Sequence, residues 1–235
     1  DGTVDVHLDR PSGRDLVSGD VLMVATGRRP NGDQLNGEAT GLEVGDDGHV
    51  VVDQYGRTTA PGIWALGDVN GRYQLKHMAN GEATVVNHNV LSSGRGGGSP
   101  AITELEPFDA RPAPHAVFSS PQIGAVGPTE QQAREVGAPL CVVTHDYAGA
   151  AYGWALEDTT SFVKLIGDPL TRKLVAAHVI GYQASLLVQL FVQGIHLGNT
   201  VDEMARGQIW IHPALSEVAE QALLKLIDEF DRFSR

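Results

Sequence analysis

The chain has 235 residues, with 17 Lys and Arg against 29 Asp and Glu for a formal charge of −12; 42% of its residues are apolar and 20% charged, as in a globular chain of one large or two modest domains. The acidic balance excludes a broad nucleic-acid surface and electrostatic docking on anionic lipid, and no run approaches the roughly 20 apolar residues of a membrane-spanning helix. The single cysteine, Cys141, excludes an intrachain disulfide and a cysteine-based four-ligand zinc site; set in an apolar run, it reads as a buried structural thiol in a reducing cytoplasm.

In chain order, a strand is expected over residues 4–8 and a turn over 11–13. Residues 21–26 (Val-Leu-Met-Val-Ala-Thr) form a continuous apolar run, typical of a strand buried on both faces. Gly27-Arg28-Arg29-Pro30-Asn31 breaks it. After a loop-rich stretch to Gly48, strands are expected over 49–53 and 63–66, with a turn region between them. Residues 78–91 have helical spacing, with Ala79, Ala83, Val86 and Val90 on one face. Residues 92–114 are rich in Gly, Ser and Pro. They read as a linker at a domain boundary, and Gly94 to Gly98 lacks the strand-to-helix G-x-G-x-x-G form of a phosphate cradle.

The second half changes character. Residues 116–126 are strand material broken at Pro121. Thr129 with Gln132, and Thr200 with Glu203, have capping-box spacing, opening short helices over 129–136 and 201–206. Strands are expected over 140–145, 161–166 and 174–180, the last two as a hairpin. Residues 185–197 form a strongly apolar helix and 216–233 an amphipathic one. This half is α+β. The first half has βαβ-like pieces but too few strands for a complete doubly wound sheet, so exposed edges and apolar surface are expected there. The sequence begins at Asp1 with no secretory leader, as in a processed product or a piece of a longer chain.

Three motifs have chemical potential. Ala25-Thr26-Gly27-Arg28 ends an apolar run with small residues, which permits close backbone approach to a ligand or simply makes a turn. Ile63-Trp64-Ala65-Leu66-Gly67-Asp68 places a carboxylate after a strand end, where Asp68 can accept from a sugar or polyol hydroxyl, or can cap the next segment. His212-Pro213-Ala214-Leu215-Ser216-Glu217 combines an imidazole with a carboxylate. Residues five apart do not meet on a regular helix. Pro213, however, disfavours helical geometry at His212 and itself suits an early helical position, so His212 can fold back toward Glu217. The alternative is a buried structural histidine at a helix start.

In this order the motifs resemble the flavoprotein disulfide reductases with two dinucleotide-binding domains, over about residues 20–235. Residues 151–158 (Ala-Tyr-Gly-Trp-Ala-Leu-Glu-Asp), 181–184 (Gly-Tyr-Gln-Ala) and 204–215 (Met-Ala-Arg-Gly-Gln-Ile-Trp-Ile-His-Pro-Ala-Leu) are similar to the mycothione-reductase branch. The resemblance implies an α+β interface domain with an antiparallel sheet and helices, after an incomplete α/β FAD/NAD(P)-binding portion. Its segments would be 1–30, the tail of an NADPH-binding domain; 31–105, the C-terminal part of an FAD domain; and 110–235, the dimerisation domain. It implies FAD and NADPH in the complete enzyme, a homodimer and a small disulfide substrate. Asp68, after Gly67, would meet the FAD ribityl chain. His77, Met78 and Ala79 would lie by the isoalloxazine, and Gly27 and Arg28 would help to bind cofactor. His212, oriented by Glu217, would protonate a departing thiolate at the partner subunit's redox disulfide. The family's FAD pyrophosphate loop and C-x₄-C pair are missing from this sequence, so the chain alone is expected not to reduce a disulfide, and whether it retains FAD is left open by the sequence. A non-catalytic dimerisation module and the equivalent part of a dihydrolipoamide dehydrogenase are the alternatives.

Overall fold

The computed structural model describes residues 2–93 and 104–235, so the Gly94-to-Gly98 part of the expected linker lies outside the described residues. The chain divides into two units, Asp1–Phe108 and Asp109–Arg235.

The first unit opens with an antiparallel hairpin of β1 (Val4–Arg10) and β2 (Gly13–Gly19). The sequence of β2, Gly-Arg-Asp-Leu-Val-Ser-Gly, has no alternating apolar face and all seven residues are exposed, so only cross-strand hydrogen bonding defines it. The strand expected over 21–26 does not form. Val21, Leu22, Met23 and Val24 are all exposed, because an apolar run becomes a buried strand only where another strand and a covering layer meet it.

The strands expected over 49–53 and 63–66 are also absent. They reduce to isolated bridges, Val44 with Val50, Val52 with Thr58 and Arg57 with Trp64. Turn chemistry takes over here: Asp53 Oδ1 accepts from the backbone N–H groups of Tyr55 and Arg57, at 2.9 and 3.0 Å, and Oδ2 accepts from Arg57 Nε at 2.7 Å. The short α1 (Gly37–Thr40) and a 3₁₀ turn, Gly67–Asn70, lead to α2 (Lys76–Ser92). The buried stripe of α2 is Glu82, Val86 and Asn89, whereas Ala83 and Val90, expected inside, are exposed. Two polar anchors therefore rotate the helix away from the face that apolar spacing indicates.

The second unit contains β3 (His115–Val117), β4 (Gln122–Val126), α3 (Glu130–Glu135), β5 (Cys141–Asp146), α4 (Ala151–Ala155), β6 (Phe162–Asp168), β7 (Lys173–Gly181), α5 (Ala184–Leu197), α6 (Val201–Arg206) and α7 (Glu217–Phe233). The five strands form an antiparallel sheet in the order β3-β4-β7-β6-β5, with β6 and β7 paired as the expected hairpin. Both capping boxes form: Thr129 and Thr200 each exchange two hydrogen bonds with the residue three positions on.

One sheet face is covered by α5 and α7, with α6 packed on α7 and with Val163, Leu165, Phe191, Leu226, Ile227 and Phe230 buried between the layers. Ile166 and Ala176 meet Ala133 of α3 in a smaller cluster. The ring of Phe230 packs so closely on Gly167 that a Cβ there would lie 2.5 Å from its Cζ, at the register shift of β6 against β7. The architecture is α+β, with the main core between the sheet and the long helices and a smaller cluster under α3.

Candidate functional site

Each unit holds one constellation. In the second unit, the chain leaving α6 is anchored by Trp210, whose indole N–H donates to Ala205 O at 2.8 Å, and by the buried side chain of Leu215. Between these anchors lie exposed Ile211 and His212. Pro213, expected early in the helix, stands outside it. Helix α7 starts at Glu217, after a turn in which Glu217 N–H donates to Ala214 O, because the Glu217 carboxylate itself takes the Ala214 N–H and closes that turn.

His212 Nδ1 lies 2.8 Å from Glu217 Oε1, and Glu217 Oε2 accepts from Ala214 N–H at 3.0 Å. The carboxylate is therefore held on both oxygens and lies mostly out of solvent, while the imidazole is 70% exposed. The hydrogen bond from His212, then that from Ala214, holds the Glu217 carboxyl below its ordinary range. A carboxylate can only accept here, so Nδ1 bears the hydrogen and Nε2 is left as the position for proton exchange. The pair can act as an oriented acid/base facing outward. A cavity of 510 Å³ in this unit is lined by Ser119, Gln122, Asp158, Ser161 and Tyr182 among others, and His212 is not among its walls.

In the first unit, Gly67 and Asp68 lie on the 3₁₀ turn before α2. Gly67 has φ +72°, in the left-handed region, and a Cβ there would lie 3.4 Å from that of Ala79. The Asp68 carboxylate is 53% exposed and meets Arg28 Nη1 at 3.0 Å; Arg28 Nη2 also donates to Gln74 O at 3.1 Å. His77, Met78 and Ala79 sit in the first turn of α2, whose N-cap, Leu75, supplies no side-chain cap. Gly27, at φ +125°, is exposed beside Arg28. The structure thus brings together Gly67 with Ala79, Arg28 with Asp68, and His212 with Glu217.

The sequence reading missed Glu82. Its side chain is 5% exposed, and Oε2 accepts from Gly67 N–H at 2.7 Å and from Asn70 Nδ2 at 2.9 Å. It also missed Asn89, which is fully buried and bonded to Tyr55 O and to both backbone groups of Glu106. One signal was available: Glu82 is three residues after Ala79 and four before Val86, which places a carboxylate on the inward stripe. Among the described residues, no His, Cys, Asp and Glu side chains cluster to hold a metal ion, and no helix is long and apolar enough to cross a membrane.

Residues 2–83 match the pyridine nucleotide-disulphide oxidoreductase family, and residues 113–223 match the dimerisation domain of the same family. The chain is 51% identical over 210 residues to mycothione reductase of Mycobacterium tuberculosis, covering 89% of this chain and 44% of that protein. It is 32% identical over 224 residues to dihydrolipoyl dehydrogenase of Rhizobium etli, covering 95% and 44%. Among solved structures, the HOCl-induced flavoprotein disulfide reductase RclA of Escherichia coli superposes with a TM-score of 0.80 at 29% identity, covering 95% of this chain and 48% of that one. The chain spans less than half the length of the curated relatives it matches.

Proposed function

This chain belongs to the pyridine nucleotide-disulphide oxidoreductase family, and from that premise we propose that it is the C-terminal part of an NADPH- and FAD-dependent disulfide reductase of the mycothione type. In this reading the chain supplies an acid/base pair and the homodimer surface, and residues 1–30, 31–105 and 110–235 are the NADPH-domain tail, the FAD-domain remainder and the interface domain. The observation that carries it is the 2.8 Å contact of His212 Nδ1 with Glu217 Oε1, on a carboxylate whose other oxygen is occupied by Ala214 N–H.

That geometry supports a role for His212 in proton transfer. An incoming thiolate, contributed by a redox cysteine pair outside this chain, attacks one sulfur of the substrate disulfide. A new S–S bond forms as the old one breaks, and the departing sulfur carries the electron pair. Imidazolium Nε2–H gives its proton to that sulfur and leaves a neutral thiol and a neutral imidazole. Glu217 stabilises the cationic form and fixes the ring orientation.

The first-unit residues fit one edge of FAD. Asp68 offers a half-exposed acceptor for a ribityl hydroxyl, and the His77, Met78 and Ala79 backbone opens a helix without a side-chain cap, where partial positive charge gathers. Arg28, paired with Asp68, and its exposed neighbour Gly27 would help to hold that edge of FAD. Bound FAD supplies electron transfer from NADPH toward the disulfide.

Glu217→Gln in the complete enzyme is expected to slow turnover by about 10²-fold or more while flavin reduction by NADPH continues unchanged. Unaltered turnover would remove the assigned role. The single cysteine favours a second reading for this chain by itself, a dimerisation module without catalysis. Light scattering with absorbance near 450 nm separates them: a colourless dimer supports the module, and one flavin per chain supports cofactor retention.

A further inference from the structure

We infer that Glu82 is the positioning residue for the flavin-facing turn, acting through Gly67 and Asn70 on Asp68. This inference rests on the flavin reading above and adds a residue to it.

The turn Gly67–Asn70 has little apolar support of its own. Gly67 lacks a side chain, Asp68 is half-exposed and pairs with Arg28, and Asn70 is a buried amide. Val50 N–H donates to Val69 O at 2.8 Å, but the two ends of the turn are tied together by one carboxylate. Glu82 Oε2 receives both the Gly67 N–H and the Asn70 side-chain N–H, from the two ends of the turn. Charge-assisted bonds of this kind are stronger than neutral ones, and at 5% exposure water competes little for them. The far oxygen, Oε1, faces Arg72 Nη1 at 3.5 Å, and the Arg72 guanidinium lies 4.6 Å from the Phe108 ring centroid. Asn70 Oδ1 in turn accepts from Arg72 N–H at 2.9 Å, so turn, carboxylate and guanidinium close on one another.

A buried glutamate is a costly way to hold a turn unless the turn must stay where it is, since an apolar residue would bury with less desolvation. Asp68 is the exposed residue between the two clamped positions. The clamp therefore fixes the carboxylate that would meet a ribityl hydroxyl, while Glu82 itself stays out of reach of the ligand.

The test uses the full-length flavoenzyme and four variants, Glu82→Ala, Glu82→Gln, Glu82→Met and Asp68→Ala. FAD affinity of the deflavinated protein and the visible absorbance and circular dichroism of bound flavin are recorded for each. Glu82→Ala strands two buried donors and is expected to weaken FAD binding about tenfold or more and to shift the flavin spectrum. Glu82→Gln keeps an oxygen for both donors and is expected to restore affinity to within about threefold of wild type, whereas Glu82→Met, which fills the same space without an acceptor, is expected to stay as weak as Glu82→Ala. If Asp68→Ala weakens FAD but Glu82→Ala leaves affinity and spectrum unchanged, the role of Glu82 is overturned and the flavin reading survives. If Asp68→Ala changes nothing, both fall. Should Glu82→Ala fail to fold, hydrogen exchange in wild type decides: a protected Gly67 amide supports the clamp, and a freely exchanging one overturns it.

Discussion

The two units are held by different forces. The second has a continuous apolar layer, in which Phe191, Leu226, Ile227 and Phe230 lie between helices and a five-stranded sheet. The first has few buried apolar side chains, chiefly Val50, Val86, Leu105 and Phe108, and its short bridges are tied by buried Asn70, Glu82 and Asn89. Apolar burial is non-directional and tolerates repacking; a buried hydrogen-bond clamp is directional and fails when one partner is removed. In the first unit a polar side chain therefore ties the two ends of a turn, whereas in the second the segment that carries His212 is anchored by Trp210 and the buried Leu215, and Glu217 orients the ring.

The largest test of this contrast is Phe230→Ala. The residue is fully buried between α7 and β6, so the variant is expected to lose about 3–5 kcal/mol of stability in denaturant unfolding. A loss under about 1 kcal/mol would show that the apolar layer is not what holds the second unit. Asn89→Ala probes the first unit. It removes three hydrogen bonds and leaves Glu106 N–H without its acceptor, with an expected cost of about 1–3 kcal/mol and faster proteolysis near residues 104–108. Equal proteolysis of variant and wild type would place the hold on that segment elsewhere.

Thr200→Ala removes the cap of α6 and is expected to cost about 1 kcal/mol, read as a lower denaturation midpoint with an unchanged slope. The smallest effect concerns acid. Hydrogen bonds from the Arg111 side chain hold Asp109 down to about 2, below its ordinary 3.8. A carboxyl whose folded value is depressed contributes stability above the unfolded value and loses it as pH falls through the folded one. Wild type should thus lose more stability than Arg111→Ala between pH 4 and pH 2, and the difference should shrink in high salt because the pair is exposed. Parallel pH profiles for the two proteins would show that the pair contributes nothing.

The second unit was largely legible because its signals are local and repeated. Thr129 with Gln132 and Thr200 with Glu203 mark helix starts, the apolar strands alternate or run continuously, and the amphipathic α7 announces its buried face. Even there, α4 was not foreseen. Its five residues, Ala-Tyr-Gly-Trp-Ala, are too few to show a period. In the first unit the same rules misled. Residues 21–26, 49–53 and 63–66 have strand composition, but composition does not supply a neighbouring strand. The face of α2 was misplaced because apolar spacing ignores Glu82 and Asn89, whose burial depends on donors and acceptors brought from far along the chain.

The sequence by itself determined where the capped helices α3 and α6 start, which segments of the second unit carry apolar surface, and which side chains have the chemistry of proton transfer or polyol binding. These depend on neighbours within a few residues. Only the tertiary structure decided that Glu217 Oε2 closes the turn on Ala214 N–H, that Arg28 crosses 40 positions to Asp68, and that Glu82 turns inward to hold Gly67. Those pairings are set by which groups lose water together, and desolvation is a property of the packed chain rather than of its local pattern.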